Sequence, residues 1–549
     1  MKTGYRAGLS LAIGLALAGA FATAQAQPFN WKTVVNNGYT MPNSTALFNS
    51  YNQPSVNARG LVVFRARSKG SQQPVRGIYE RDMRSYGPLV EVTSVGATVP
   101  QPNNTYYGNY GNSELAQFNE FPAFPRIDSG SSTIATRGQS QPVWTYLLAD
   151  GSETRVGTAG IYTNPGGELT TGASLLGAVR GPGGGLVFSQ YQVPVPGAAL
   201  GTRFDQFPGS AAVTGGATVA FKGNYTDTVT GIGMTGVYYR DVVANGGASH
   251  TYLIANSATR IPNQPAGGSV NFGSTAPPSA EGGYLYFAGF DDEDAPTLGG
   301  IYRARLAQPP VLQTLVGIGA QVPGEAAGTP FNRFGESLSV SSDGRYVVFW
   351  GAWGTEVTAK ILACPTDGNA DLIGFCKAAY PTGHMEAVPV HQGIFAYDTR
   401  KGSLAMVAKT GTDGVQDFLY WVFSGQPPGT GGGDEGEGEP PRWRASAFAA
   451  VSAKGGTAYR VAFKAARSGV DGIYLHKSPG VVPLATVVEI GSSGTVIDPL
   501  APAGSLVSAL GIERDGFRDR NLAVTASMLE PATSTGWAGI YLTTVPGGD

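Results

Sequence analysis

The residues best suited to acid–base chemistry are two histidines in the segment 350–392. His384 and His391 are seven residues apart, Glu386 lies between them, and the chain has four histidines in all. An imidazole near a carboxylate can act as a general acid or base close to neutral pH, and it can also ligate a metal. These histidines are the candidate catalytic residues. The alternative is that they are surface loop histidines with no chemical role.

The same segment contains oxygen ligands at alternate positions over residues 367–371. Alternating Asx side chains can direct three oxygens at one Ca²⁺, as in the first half of an EF-hand loop. Leu372 stands where such a loop needs glycine, and Ala378 where it needs a bidentate glutamate. Ca²⁺ is therefore a candidate cofactor but not a required one, and an Asx-rich turn is the alternative. The candidate ligands are Asp367, Asn369 and Asp371.

Aromatic residues in long polar segments suit ligand recognition. Tyrosines interleaved with Asn and Gly over residues 103–112 offer flat stacking surfaces and adaptable amides at low ordering cost. Sugar rings have apolar faces and many hydroxyls, so they match such a surface. A protein partner and packing between loops are the alternatives. The candidate binding residues are Tyr106, Tyr107, Tyr110, Trp353, Trp421 and Trp443.

Common catalytic signatures are missing from the sequence. It contains no Gly-x-Ser-x-Gly, His-Glu-x-x-His, Cys-x-x-Cys or Gly-Lys-(Ser/Thr) pattern. The single Gly-x-Gly-x-x-Gly, from Gly231 to Gly236, runs into a predicted strand, whereas dinucleotide binding needs a helix there. An enzyme of a common hydrolase, protease or nucleotide-binding type is not indicated.

A repeat fixes the elements that position these residues. The tripeptide Gly-(Ile/Val)-(Tyr/Phe) occurs seven times at spacings of 64 to 93 residues, beginning at Gly77, Gly160, Gly236, Gly300, Gly393, Gly472 and Gly539. An apolar run precedes each copy, a tight turn and another run follow it, and an aromatic cluster such as Phe48–Tyr51 opens the next unit. Each unit thus reads as four short antiparallel strands, A to D.

Seven such units predict an all-β protein, a seven-bladed β-propeller that forms one domain over residues 27–549. The last unit ends after its third strand, whereas residues 34–42 carry the pattern of a fourth strand. We therefore expect the N-terminal strand to complete the C-terminal blade and close the ring, which leaves no open sheet edge at that point.

One blade carries a family resemblance. Residues 341–349 (SSDGRYVVF) resemble the Ser-x-Asp-Gly-x-x-(hydrophobic)-x-Phe motif of the WD40-like repeats in TolB-type periplasmic propellers. The pattern of the whole chain is similar to secreted bacterial tandem-repeat propellers. The resemblance implies a propeller fold and a location in the cell envelope, and it carries no catalytic residue to this chain.

Loop lengths identify the working face of the propeller. In an A–B–C–D blade, the B–C and D–A connections emerge on one face, called here the long-loop face. The long connections are predicted at 101–117, 137–159, 350–392 and 412–442, and all belong to these two classes. The blade-five insertion 350–392 and the Gly-rich acidic loop 425–442 are the most distinctive. Long loops on a rigid scaffold commonly carry function, with tolerated insertions as the alternative.

Composition and the N-terminus indicate export. Residues 1–26 have a basic start, an apolar run and a small-x-small cleavage site, which is typical of a signal peptide and too short to span a bilayer. Cys364 and Cys376 are the only cysteines, and an oxidising compartment favours a disulfide between them. We therefore expect a periplasmic or secreted protein without a membrane span or lipid anchor.

Charge excludes one class of partner. Lys and Arg total 37 against 39 Asp and Glu, and charged residues make up 14% of the chain, against roughly 25% in ordinary domains. A net charge of −2 provides no global field for nucleic acid. The sequence predicts a monomeric, non-enzymatic propeller that binds a glycan or an envelope protein. The alternative is a propeller polysaccharide lyase or hydrolase that uses His384 or His391.

Overall fold

The computed structural model describes residues 29–70, 74–100, 105–107, 113–147, 153–174, 178–180, 186–188, 194–199, 202–242, 250–262, 264–366, 370–425, 441–453, 458–478 and 483–546. The predicted signal peptide lies outside these residues, as do positions 426–440 of the acidic loop. Side chains are described for most of this range, except in the strands of residues 105–107, 113–114, 141–147, 153–158, 178–180 and 186–188.

The first four blades follow the chain in order. After β1 (Trp31–Asn36), blade one contains β2 (Phe48–Tyr51), β3 (Ser55–Val56), β4 (Leu61–Ser68), β5 (Arg76–Asp82) and β6 (Leu89–Ser94). After a hairpin of β7 (Thr105–Tyr107) and β8 (Ser113–Leu115), blade two contains β9 (Phe118–Glu120), β10 (Arg126–Ile127), β11 (Ile134–Leu147), β12 (Glu153–Thr163) and β13 (Thr170–Ser174). After a second hairpin of β14 (Ala178–Arg180) and β15 (Leu186–Phe188), blade three contains β16 (Ala212–Thr214), β17 (Thr218–Thr226), β18 (Gly233–Asp241) and β19 (Thr251–Asn256). Blade four contains β20 (Ser274–Thr275), β21 (Ser279–Glu281), β22 (Tyr284–Phe290), β23 (Gly299–Arg305) and β24 (Gln313–Gly317).

The last three blades carry the larger additions. Blade five contains β25 (Phe331–Phe334), β26 (Ser339–Val340), β27 (Tyr346–Leu362), α1 (Ala370–Ala379), β28 (His384–Asp398) and β29 (Ser403–Lys409). Blade six contains β30 (Val415–Asp417), a hairpin of β31 (Leu419–Ser424) and β32 (Arg442–Ala447), then β33 (Ala449–Ala453), β34 (Tyr459–Arg467), β35 (Val470–Lys477) and β36 (Ala485–Glu489). After α2 (Gly494–Ile497), blade seven contains β37 (Leu506–Gly511), β38 (Phe517–Arg518), β39 (Asn521–Glu530) and β40 (Thr535–Thr544).

The predicted ring and its closure are confirmed. The innermost strands contact one another in the cyclic order β3, β10, β16, β21, β26, β33, β38 and back to β3. β1 pairs antiparallel with β40, so the N-terminal strand completes blade seven. The seven-bladed propeller therefore closes on itself without leaving β40 as a free edge.

The repeated tripeptide marks the third strand of every blade. Its aromatic residue is fully buried in all seven copies, and in blades one to five it packs edge-on against the aromatic residue that opens the blade, as Tyr162 does on Phe118 at 4.8 Å. The preceding glycine is required by this packing. A Cβ at Gly160 would lie 2.8 Å from the Tyr162 hydroxyl and 2.9 Å from the Ala173 carbonyl oxygen.

The first strand differs from the prediction of one continuous element. In blade six the β31–β32 hairpin separates two such pieces, and in blades one, two, four, five and seven the strand is divided into two short pieces that pair with different parts of the second strand. Proline lies in the gap in blades one, two and four, as Pro54 does in blade one, and it lacks the N–H that a ladder needs.

Charged side chains close the centre of the ring near the A–B turns. We call this cluster the plug; its charged members are Arg126, Asp128, Glu281, Glu513, Arg514, Asp515 and Arg518, all buried. Arg126 crosses the ring, since it pairs with Asp515 of blade seven at 2.5 Å and donates to Ser279 of blade four at 3.0 Å. The plug therefore ties non-adjacent blades together at the end opposite the long-loop face.

Candidate functional site

The long-loop face is formed by hairpins that continue blade strands outward. β27 and β28 stay paired from Tyr346 opposite Asp398 out to Leu362 opposite His384, and α1 follows beyond this end. The β31–β32 hairpin leaves the ring at the same end, because β30 pairs with the last residues of β34. Blades five and six thus build a wall over this face. The helix within the insertion was not part of the sequence prediction.

A cavity of about 230 Å³ lies at the base of this wall, and we call it the hairpin cavity. It is lined by the outer end of β27, by β30 and β31, by Trp443 of β32, and by parts of blade six. Its polar lining residues are Lys360, Asp417, Tyr420, Trp421, Trp443, Lys464 and Asp471.

A larger cavity of about 600 Å³ adjoins it on the inner side, and we call it the funnel cavity. It is bounded by the opening strands of blades one and seven, and it shares Tyr420 and Lys464 with the hairpin cavity. Its polar lining residues are Asn49, Ser50, Tyr51, Gln53, Arg67, Tyr420, Lys464, Thr525 and Ser527.

Lys464 stands between the two cavities. Its side chain is 8% exposed, its Nζ donates to the Leu510 carbonyl oxygen at 3.1 Å, and the ammonium lies 3.9 Å from the centre of the Tyr420 ring. Burial lowers the pKa of Lys464 to about 8, because the charged form loses hydration. A cation–π contact and one carbonyl are weak compensation for a buried ammonium.

A polar chain holds the wall of the hairpin cavity in place. Lys360 pairs with Asp417 at 2.6 Å, and the other Asp417 oxygen accepts from the Gln392 amide at 3.0 Å. Gln392 in turn accepts from the Trp350 indole N–H at 3.0 Å. These bonds join the extended strands of blade five to the first strand of blade six, so the cavity wall is braced and not a free loop.

Two of the predicted binding residues, Trp421 and Trp443, line the hairpin cavity. Both rings are partly buried, and Trp443 packs on Phe423 at 5.2 Å. Among the described residues, their buried indole N–H groups have no hydrogen-bond acceptor. A buried donor without a partner costs about 1–3 kcal/mol, so a ligand oxygen that reaches either indole would gain a hydrogen bond that these residues do not supply.

The other predicted binding residues are placed differently. Trp353 is 4% exposed and packs against His391 and Phe395, so its ring supports the wall from inside. The backbone of Tyr106 and Tyr107 forms β7, and nothing is described of their side chains. Tyr110 lies outside the described residues.

The two histidines do not share a site. They lie at an odd separation on β28, so their side chains point to opposite faces of the strand about 23 Å apart along it. His384 bonds with Glu386 at 2.9 Å, and His391 lies 3.3 Å from Glu356. Each has a carboxylate partner that suits acid–base chemistry, but neither histidine lines the hairpin cavity or the funnel cavity.

The structure confirms one bond in the blade-five insertion. Cys364 and Cys376 form a disulfide with their Cα atoms 5.8 Å apart, which fastens α1 to the end of β27. Of the predicted Ca²⁺ ligands, Asp367 and Asn369 lie outside the described residues, and Asp371 is in the first turn of α1. Within the described ranges, no group of three or more His, Cys, Asp or Glu side chains is arranged to hold a metal ion.

Lys464, Tyr420 and Arg67 were missed by the sequence analysis. Lys464 sits in a run, Arg460–Arg467, in which three cations are separated by two or three apolar residues, and nothing in this spacing distinguishes it from the other two. One signal was available: a cation follows the buried Phe of the second strand in three blades, at Arg65, Lys222 and Lys464. The positions repeat, and their partners differ.

Comparisons with known proteins find distant similarities. No protein-family model and no curated protein matches the sequence. The chain is similar to the β-propeller domain of the trilobed protease from Pyrococcus furiosus, with 10% identity, a TM-score of 0.37, and coverage of 91% of this chain and 94% of that chain. It is similar to Chaetomium thermophilum Sqt1 at 10% identity (TM-score 0.31; 93% and 98% covered) and to prolyl oligopeptidase B from Galerina marginata at 7% identity (TM-score 0.29; 88% and 56% covered). Similarity at this level gives no information about activity. The propeller assignment rests on the strand pairing in the structure. Among the described residues, neither helix has the length and apolar character needed to cross a bilayer.

Proposed function

We propose that this protein is an exported, non-enzymatic recognition module that binds a glycan on its long-loop face, in the hairpin cavity and the funnel cavity. The observation that supports this most directly is the meeting of the two cavities at Tyr420 and Lys464, beneath a hairpin that carries Trp421 and Trp443. Adjoining cavities of this size suit successive units of a chain-like ligand.

The lining matches sugar chemistry. Aromatic rings from Tyr51, Tyr420 and Phe448 line the funnel cavity together with the amides of Asn49 and Gln53, and Ser and Thr hydroxyls complete it. Sugar rings stack their apolar faces on aromatic side chains and exchange hydrogen bonds with amides and hydroxyls. The cavity provides both kinds of contact without a large apolar wall.

An envelope protein is a second candidate partner, favoured by one observation. The extended part of the β27–β28 hairpin exposes Val357, Ile361 and Met385, and Ile361 pairs directly with Met385 across the hairpin. Exposed apolar side chains that lie together are typical of protein contacts.

Glycan binding is tested with the purified full-length protein on a glycan array, followed by calorimetry with the best ligand. We expect saturable binding and no new reducing ends. Trp421→Ala and Trp443→Ala should each weaken binding by about tenfold, since each removes a stacking ring of the cavity. Tyr86→Ala is the control, because Tyr86 is an exposed aromatic residue in a C–D turn on the opposite face.

Two results would contradict this proposal. One is the absence of binding to any glycan by a folded wild-type protein. The other is a glycan affinity that Trp421→Ala and Trp443→Ala leave unchanged while both variants keep the wild-type melting temperature. Release of new reducing ends would instead support the polysaccharide lyase or hydrolase alternative.

A further inference from the structure

The charge of the funnel cavity is one-sided. Among the residues that the structure describes, its lining contains two cations, Arg67 and Lys464, and no aspartate or glutamate. The chain as a whole has slightly more acidic than basic residues, so this local excess is not a consequence of composition. A cavity lined in this way attracts an anionic group and disfavours a cationic one.

Neither cation forms an ion pair within the part of the chain that the structure describes, and Asp471 acts on Lys464 only as a more distant charge. Across the described residues, no carboxylate lies within ion-pair distance of Lys464 or Arg67. Arg67 donates through Nε to the Ser50 hydroxyl at 2.8 Å, which orients its side chain across β2 and β4. The neighbouring Arg65 of blade one differs, since it is paired with Glu120 at 2.7 Å.

Lys464 is the less usual of the two. A buried ammonium normally has a carboxylate beside it, because an isolated charge in a poorly hydrated site is costly. Here its nearest polar partner is a main-chain carbonyl, and its other close contact is the face of the Tyr420 ring. An incoming carboxylate would supply the missing counter-charge.

We propose that the funnel cavity binds a sugar that carries an anionic group, with Lys464 and Arg67 as the groups that recognise the charge. The inference rests on the proposed glycan-binding function and names its ligand class. The hydroxyls of Ser50, Thr525 and Ser527 would contact the sugar hydroxyls, and the ring of Tyr51 or Tyr420 would stack on the sugar. A carboxylate and a sulfate ester share the relevant chemistry, and the experiment separates them.

Recognition by Lys464 makes binding dependent on pH. Burial lowers the pKa of this amine to about 8, so the charge is present below that pH and is lost above it. Arg67 keeps its charge over this whole range. The other charged or titratable groups that line the two cavities are Tyr51, Lys360, Asp417, Tyr420 and Asp471.

The test compares three probes on the full-length protein by calorimetry. They are trigalacturonic acid, its fully methyl-esterified form, and a trisaccharide whose only charged groups are sulfate esters. We expect the acid to bind and the ester to bind at least tenfold more weakly. Lys464→Gln keeps an N–H donor for the Leu510 carbonyl while it removes the charge. It should weaken binding of the acid by about 10- to 100-fold, the range of a charge-assisted hydrogen bond.

Arg67→Gln is the second variant, chosen because Arg67 is exposed and its loss leaves no buried group unpaired. It should also weaken binding of the acid, and it should retain the decline in wild-type affinity between pH 8 and pH 9. Lys464→Gln should show no such decline. Lys32→Gln, which removes an exposed cation outside both cavities, is the matched control and should bind like the wild type.

Failure of this inference is distinguishable from failure of the glycan proposal. If the acid and its ester bind equally well and both variants bind like the wild type, the anionic assignment is overturned and glycan binding stands. If no probe and no array glycan binds, the glycan proposal falls with it. Preference for the sulfated probe over the acid keeps the anionic site and assigns it to sulfate esters.

Discussion

The substitution Glu281→Gln should stabilise the protein at alkaline pH and leave it almost unchanged at acidic pH. Glu281 is 5% exposed in the plug, where the Ser129 hydroxyl donates to it at 3.0 Å and Arg518 lies 3.8 Å away. The plug contains four carboxyl groups and three guanidinium groups, so one carboxyl lacks a counter-charge. Burial raises the pKa of Glu281 to about 8, and the nearby Asp515 and Asp128 add to the rise against the lowering effect of Arg518.

The direction and the size of the change in stability follow from this pKa. A carboxyl whose pKa is higher in the folded protein than in the unfolded chain binds its proton more tightly when folded. The free energy of unfolding therefore falls as the pH rises from about 4.5 to about 8. Each tenfold change in proton affinity is worth about 1.4 kcal/mol, so Glu281 alone removes up to about 5 kcal/mol over this range. For a chain of this size, about 1 kcal/mol shifts the melting temperature by about 1 °C.

The assay is thermal unfolding at pH 5, 6, 7, 8 and 9, followed by tryptophan fluorescence. Glutamine does not titrate, so the melting temperature of Glu281→Gln relative to the wild type should rise by several degrees between pH 5 and pH 9. Glu168→Gln is the control, since Glu168 is exposed and should show no such trend. Parallel pH profiles for the wild type and Glu281→Gln would refute the reasoning, because Glu281 would then be ionised in the folded protein at pH 5.

Three further predictions concern blade seven and the blade-five insertion. Gly539→Ala should destabilise the ring by about 1–3 kcal/mol, because its Cβ would lie 2.6 Å from the Val35 carbonyl oxygen; Gly536→Ala on the same strand has open space, so similar melting temperatures for the two would contradict the packing argument. Replacing both cysteines by serine should speed proteolysis within residues 363–383 and leave the melting temperature of the ring unchanged. The reason is that the disulfide closes a short local loop and contributes at most about 3 kcal/mol. Equal digestion rates would show that the helix is held in place without the disulfide. Calorimetric titration of EDTA-treated protein with Ca²⁺ should give heat that Asp371→Asn abolishes if the predicted loop binds calcium, and a flat titration would remove that site.

The fold was predictable from the sequence because the same packing of an aromatic residue on a glycine occurs in all seven blades. Each blade buries an aromatic side chain over a glycine of its third strand, and this leaves the same three-residue pattern, Gly-(Ile/Val)-(Tyr/Phe), in every unit. Ring closure was predictable for a related reason, since residues 34–42 match the missing fourth strand. Helix α1 was not, because a ten-residue helix held by a disulfide at the tip of a hairpin has no repeat to reveal it.

The connection between blades two and three was also underestimated. It runs from the end of β13 to β16 and includes the β14–β15 hairpin on the long-loop face, yet it was not among the predicted long connections. The prediction placed the start of the next blade at the aromatic cluster of residues 204–207, but the glycine-rich sequence before it carries no pattern that indicates the β14–β15 hairpin.

The candidate site was harder to predict because its key residue occupies an ordinary position of the repeat. The residue after the buried aromatic of the second strand reaches toward the next blade: Arg65 meets Glu120 there, and Lys464 reaches the Leu510 carbonyl. In blade one this contact is a complete ion pair and only joins two blades. In blade six the neighbouring strand offers no carboxylate, so the equivalent contact leaves the Lys464 ammonium without an ion pair beside the funnel cavity. The inferred specificity for an anionic sugar thus depends on a carboxylate that the neighbouring blade lacks. The sequence pattern of a single blade cannot show which side chains the next blade provides.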